Sequence, residues 1–268
     1  MVIDFHTHIF PDKIAAKTID HLSKKGGIPP FSDGSVSGLI SNMEKASVDL
    51  SIALPVLTNP ESFVSVNRFA QEVNEAFQAK SKSIISFGAI HPLCDDIDGK
   101  MKHLKDRGFK GVKIHPDYQG QYINHEGYVR IMNCAREYDL VVVTHAGLDV
   151  AYPNDVHSTP HLVKELLSKA PHSKLVLAHM GGGGFYPEVI RLLCGGDVYF
   201  DTAFVLRYIG RDTFRQLLES HGGDRILFAS DSPWSDAQND LDILKSYVDD
   251  PAILERILHL NAKKLLEI

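Results

Sequence analysis

Apolar residues fall in two rhythms along this chain. Short β-branched and aromatic runs recur at 2–6 (VIDFH), 51–57 (SIALPVL), 84–90 (IISFGAI), 111–115 (GVKIH), 141–145 (VVVTH), 174–179 (KLVLAH), 197–202 (DVYFDT) and 225–230 (RILFAS). Between them lie longer segments whose apolar positions return every three or four residues, such as Phe69, Val73, Ala76 and Phe77, or Leu162, Leu166 and Leu167 ahead of Lys169. The first rhythm predicts strands buried on both faces, and the second predicts amphipathic helices that cover them. Eight such pairs in alternation favour closure into a barrel over an open doubly wound sheet, which would carry a Gly-rich phosphate loop after its first strand. Here His8 is followed by Ile9, Phe10 and Pro11. The expected fold is a (β/α)8 TIM barrel, a single domain over residues 1–268. Residues 26–36, rich in Gly, Pro and Ser, read as a surface excursion of the first connection. The run Gly181–Gly184 lacks the Lys-Ser/Thr pair of a phosphate loop and reads as a flexible strand-to-helix loop.

Length agrees, since 268 residues suit a barrel that typically needs about 250. Lys and Arg total 28 against 34 Asp and Glu, with no run of like charge, so no nucleic-acid or anionic-membrane face is expected and a small-molecule substrate fits better. Cys94, Cys134 and Cys194 are odd in number and widely spaced, unlike a disulfide framework, which points to a reducing cytoplasm. Asp4 and His6 stand where a signal peptide would carry its apolar stretch, and no apolar run nears the roughly 18 residues of a membrane span. The sequence leaves homo-oligomerisation open.

Of the 14 histidines, His6, His8, His91, His115, His145 and His179 fall at or just beyond the C-terminal ends of expected strands, the active-site rim of such a barrel. His6 and His8 are two apart, so on an extended strand both rings face the interior, where two neutral imidazoles suit a zinc-like ion. Asp231 ends the last strand, and a buried carboxylate there needs a partner or a cation. Lys113 and His115 share one face of their strand. Lys113 is read either as a carboxylated bridge between two ions, like the lysines of urease and dihydroorotase, or as an ammonium paired with Asp201 or Asp231. His115 is expected to face substrate or to hydrogen-bond a ligand from behind. The weaker expectations are that His91 binds backbone, Asp201 orients Lys113 or a ligand, Trp234 walls the pocket or packs, and Arg207 and Arg211 hold a substrate carboxylate or merely begin a solvated helix. The remaining eight histidines, such as His21, His172 and His259, read as surface residues.

His6-Thr7-His8, the histidines of THAG and LAHMGG and the aspartate of SDSPW, in that order, resemble the amidohydrolase superfamily. The branch they resemble is the amidohydrolase-2 family, which includes aminocarboxymuconate semialdehyde decarboxylase and γ-resorcylate decarboxylase alongside hydrolases. The resemblance extends to the closing segment ILHLNAKKLLEI. It implies His6, His8, His145 and Asp231 as ligands of a divalent ion, foremost zinc, with Asp231 also moving protons. His179 would be a catalytic acid or base in a one-ion site, or a ligand with Lys113 in a two-ion site; one ion is favoured. The function expected first is metal-assisted hydrolysis of an amide, ester or lactone through activated water. The alternative is non-oxidative decarboxylation of a small aromatic or unsaturated acid, and outside catalysis a silent metal-binding barrel. A phosphoesterase of the polymerase-and-histidinol-phosphatase type also begins with His-x-His but needs carboxylates that residues 9–13 do not supply.

Overall fold

The computed structural model describes residues 1–77 and 83–268. Its strands are β1 (Ile3–Thr7), β2 (Leu50–Ala53), β3 (Ser83–Ser86), β4 (Gly88–Ala89), β5 (Gly111–Ile114), β6 (Val141–Thr144), β7 (Leu175–Leu177), β8 (Tyr199–Asp201) and β9 (Ile226–Leu227). All pair in parallel, in the orders β1-β2-β3 and β4-β5-β6-β7-β8-β9. The expected strand 84–90 is therefore one barrel strand broken at Phe87, whose N–H still donates to Ala53 O at 2.9 Å. At the other seam Phe5 N–H donates to Phe228 O and Asp231 N–H to His6 O, both at 2.9 Å, so the ring closes as a (β/α)8 barrel. Asp4 reinforces this closure by accepting from the backbone N–H and the hydroxyl of Ser230.

Alternation along the strands divides the core in two. Val112, Ile114, Val142, Leu175, Leu177 and Phe200 face outward against the helices. Ile3, Phe5, Leu50, Val143, Val176 and Leu227 fill the interior, joined from below by Ala262, Leu265 and Leu266 of the terminal helix Asn261–Leu266. This apolar floor leaves only the C-terminal end of the barrel for chemistry.

β1 breaks the simple alternation. Asp4 pairs with Ser51 but Thr7 with Ala53, so β1 carries one residue more than β2 over this stretch. Such a bulge re-aims side chains. Phe5 joins the interior floor while its neighbour His6 also turns inward, to Lys113, Asp201 and Asp231.

Two expectations need correcting. The run Gly181–Gly184 is not a free loop, because Gly183 pairs with Gly147 in a parallel bridge, with Gly183 N–H donating to Ala146 O at 3.0 Å and Leu148 N–H to Gly183 O at 2.9 Å. The backbones meet so closely that a Cβ on Gly147 (φ +87°) would lie 2.2 Å from Gly183 N. The second correction concerns His172, which is buried against Leu140 O at 2.8 Å, and the similarly buried His221. A histidine at a helix end reads as polar, yet one ring N–H satisfied by a carbonyl lets the rest of the ring pack as an apolar body. The excursion 26–36 follows the helix Asp12–Gly26 and leans on the last strand's loop, with Phe31 N–H donating to Pro233 O at 2.7 Å. No helix of the described residues is long and apolar enough to cross a membrane.

Candidate metal centre

The interior cage at the top of the barrel is made by His6, His8 and Asp231. His6 places Nδ1 2.9 Å from Asp201 Oδ2 and His8 places Nδ1 2.8 Å from Leu54 O. Both partners only accept, so Nδ1 of each ring carries a proton, and a ring with no second proton keeps the Nε2 lone pair for the interior. Those two Nε2 atoms converge on Asp231 Oδ1, at 3.5 Å for His6 and 3.2 Å for His8. The three donors lie within 4.8 Å of one another. Two imidazoles and a carboxylate, buried and with tautomers held from behind, fit a divalent transition ion.

Electrostatics favour the same assignment. Burial, aided by the Lys113 charge, pushes the His6 pKa well down, so the ring stays neutral and able to donate. Burial opposes ionisation of Asp231, and the pull that holds its carboxyl below the usual range is the one His6 and His8 exert when charged, a pull that a cation in the cage would supply once the rings are neutral. Burial pushes Lys113 down to about 8, against the pull of Asp201 and Asp231. Lys113 does not pair directly with either carboxylate. Its Nζ stands 3.1 Å from His6 Nε2, at the cage itself.

His179 and Asp231 both take left-handed backbone conformations, with φ of +59° and +69°. For residues other than glycine this costs on the order of 1–3 kcal/mol and persists only where the surroundings impose it. Asp201 does so for His179, accepting its N–H at 3.0 Å, while His6 O accepts that of Asp231. Asp201 is thus a support for His6 and His179 more than a partner of Lys113.

The structure does not bring His145 into the three-residue cage. Its Nδ1 lies 3.0 Å from His179 Nε2, and the His179 ring stands 5.7 Å from that of His6. His145 also forms a second trio with His115 and Asp149. There the His115 and His145 rings stack at 4.4 Å with 10° between planes. Lone pairs of stacked rings run side by side instead of converging, so we read this trio as a wall and not a second cage. Burial pushes both pKa values well down, so the stacked rings are neutral. His115 Nε2 faces Asp149 Oδ2 at 3.4 Å, and the Tyr118 ring meets His115 edge-on at 4.7 Å.

Sequence reasoning missed Asp117, Asp149 and Tyr118. Their signal was position: each follows a strand-end histidine within a few residues, in HPDY and THAGLD.

The sequence matches the amidohydrolase family (Amidohydro_2) over residues 3–268. The chain belongs to that family. No curated protein matches the sequence. Among solved structures, 5-carboxyvanillate decarboxylase from Sphingomonas paucimobilis is 13% identical, with a TM-score of 0.72 over 100% of this chain and 99% of its own. 2,6-Dihydroxybenzoate decarboxylase from Rhizobium is 16% identical, with a TM-score of 0.71 over 99% of this chain and 98% of its own. A dihydroxybenzoic acid decarboxylase from Polaromonas, with bound manganese and the inhibitor 2-nitroresorcinol, is 16% identical, with a TM-score of 0.73 over 99% and 96%. At these identities the likeness establishes the barrel of this amidohydrolase and not its substrate.

The outlying residues of the amidohydrolase rim take the plainer roles. His91 Nδ1 accepts Leu93 N–H at 3.1 Å. Half-buried Trp234 follows the cage loop, its N–H on Asp231 O at 2.8 Å. Arg211 pairs with Asp249 at 2.7 Å, and Arg207 donates to Ser235 Oγ between the rings of Phe31 and Tyr208.

Proposed function

We propose that this amidohydrolase removes carbon dioxide non-oxidatively from a small aromatic or unsaturated carboxylic acid, at one divalent ion held by the cage of His6, His8 and Asp231. The observation that carries the reading is the buried Lys113 side chain, whose Nζ stands 3.1 Å from His6 Nε2 and which we take as an ammonium. A cation fixed at the cage favours an anionic substrate and opposes a second dication, whereas a carboxylated lysine would do the reverse. The decarboxylases among its structural relatives support this choice over hydrolysis, the function expected first from sequence. Two imidazoles and a carboxylate suit zinc, and manganese is the alternative because the Polaromonas relative binds it.

When bound, the ion supplies a Lewis acid that holds a substrate oxygen and steadies developing negative charge. Lys113 adds a fixed positive charge for the carboxylate. His115, its Nδ1 buried without a partner and its ring stacked on His145, is assigned to the wall that faces substrate. Departure of carbon dioxide leaves an electron pair on carbon that must gain one proton. Asp231 and His179 are the groups assigned to carry it, with His179 Nδ1 anchored on Ala203 O at 2.9 Å and its Nε2 turned toward His145.

Hydrolysis of an amide, ester or lactone remains the second reading. It is favoured by the ionised Asp231, which suits a general base acting on water. A panel of hydroxybenzoates and unsaturated acids, run beside a panel of lactones and amides, separates the two. Metal-dependent release of carbon dioxide with deuterium entering the product from D2O is the expected result. Turnover of a lactone or amide with no carbon dioxide from any acid would overturn the proposal.

A further inference from the structure

Each nitrogen of the His145 ring faces a group that could fix its proton, and the two demand opposite tautomers. Nδ1 lies 3.0 Å from His179 Nε2. Nε2 is buried without a hydrogen-bond partner and faces Asp117 Oδ2 at 3.8 Å, an oxygen equally buried and equally without a partner. His179 Nδ1 stands 2.9 Å from Ala203 O, a carbonyl that only accepts, so that nitrogen carries a proton and the neutral ring offers a lone pair at Nε2. A proton on His145 Nδ1 would serve His179 but set a bare Nε2 against a carboxylate. A proton on Nε2 serves Asp117 and leaves two lone pairs, His145 Nδ1 and His179 Nε2, pointing at a common space. A cation, or a water donating to both nitrogens, reconciles that second arrangement, and beside the cage the cation is the one we take up.

We infer that Asp117 is a positioning residue that accepts a hydrogen bond from His145 Nε2–H and thereby presents the His145 Nδ1 lone pair to the metal centre, beside His179. The inference deepens the proposed function and rests on its divalent ion. Asp201 does the same for His6 from the opposite wall, at 2.9 Å. The surroundings leave His145 few alternatives. His115 stacks on its ring, and the hydroxyls of Ser158 and Thr144 hold its carbonyl at 2.9 and 3.0 Å. Asp117 is anchored through its other oxygen, which accepts His157 N–H at 3.1 Å with His157 Nδ1 at 3.2 Å. That anchor leaves Oδ2 without another partner among the described residues, with His145 Nε2 3.8 Å away as the group it faces.

The same anchor makes Asp117→Asn the decisive variant. His157 N–H keeps the amide oxygen, so the amide NH2 faces His145 Nε2, donates to it and drives the ring proton to Nδ1. Packing is unchanged and the tautomer inverts. Long-range proton–nitrogen correlation spectra of histidine-labelled protein, taken without metal, read the tautomer directly. Zinc titrated in competition with a chromophoric chelator reads affinity. The expected result is Nε2–H at His145 in the wild type, Nδ1–H in Asp117→Asn, and zinc binding weakened by about 10- to 100-fold, the usual cost of losing a support behind a ligand. Nδ1–H in the metal-free wild type would overturn the inference, and that spectrum decides even if the variant fails to fold. An inverted tautomer with unchanged zinc affinity would overturn it too, by removing His145 from the centre. Wild-type protein that binds no zinc, manganese or other divalent ion would instead defeat the proposed function, while the tautomer result would still stand by itself.

Discussion

Asp201 Oδ2 lies 2.9 Å from His6 Nδ1, joining residues 195 apart in the chain. The contact decides which nitrogen of His6 serves the site. A buried carboxylate here can only accept, so the proton sits on Nδ1 and the lone pair of Nε2 is turned to the cage. The other oxygen of Asp201 accepts the N–H groups of His179 and Ala203 at 3.0 and 3.1 Å, so one side chain orients both a cage residue and the strained backbone of His179.

Replacing Asp201 with Asn should invert this. The two backbone N–H groups keep the amide oxygen, and the NH2 then faces His6 Nδ1 and favours the wrong tautomer. Affinity for zinc, measured against a chelator, should fall by about 10- to 100-fold. Undiminished affinity would show that His6 does not serve the ion through Nε2.

Protein purified without chelator should carry one divalent ion per chain by elemental analysis, and the double variant His6→Ala, His8→Ala should carry none, because a cage of three or four protein ligands loses two. Two ions per chain, with a carboxylated Lys113 in electron density obtained near neutral pH with bicarbonate, would refute the one-ion site and favour hydrolysis.

Asp231→Asn keeps an oxygen for the ion but cannot take up or release a proton. Metal content should survive while turnover drops by about 10²- to 10⁴-fold, the usual contribution of a general acid or base. Full activity with metal retained would transfer the proton-carrying role to His179.

His221 should make the fold acid-sensitive. Its Nε2–H donates to Val198 O at 3.0 Å, its Nδ1 accepts Gly195 N–H at 3.3 Å, and its ring stacks on Phe200 at 3.8 Å, so the neutral form is satisfied on both sides. Burial pushes its pKa from 6.5 to about 4. Between those values the unfolded chain binds a proton that the folded chain refuses, and stability falls as the pH drops. From about pH 8 to about pH 5 this residue should cost on the order of 2 kcal/mol. His221→Gln keeps a donor for Val198 O, and denaturant titrations of the variant should depend less on pH over that interval. An unchanged dependence would assign the acid sensitivity elsewhere.

Much of the scaffold was legible from local pattern. Continuous apolar runs such as VVVT and alternation such as Val112, Lys113, Ile114 report how a strand meets two different layers, and that constraint acts residue by residue. The strand-end positions of His6, His8, His145, His179 and Asp231 followed directly, because the C-terminal rim of a parallel barrel is defined by where each run stops. The family motifs then joined these residues into one expected centre.

What the sequence by itself determined was therefore which side chains reach the rim. Only the tertiary structure decided which of them meet and through which atoms. The bulge in β1 exists because β2 offers two residues where β1 has three, and no window on β1 alone contains that count. The left-handed backbones of His179 and Asp231 are imposed by Asp201 and by His6, each far away in the chain. The separation of His145 from the cage, its stacking on His115 and its approach to Asp117 depend on how neighbouring loops pack. Hydrophobic patterning is a local response to an average environment, whereas a tautomer or a shared ion depends on one partner atom at one distance, and that partner is supplied by the fold.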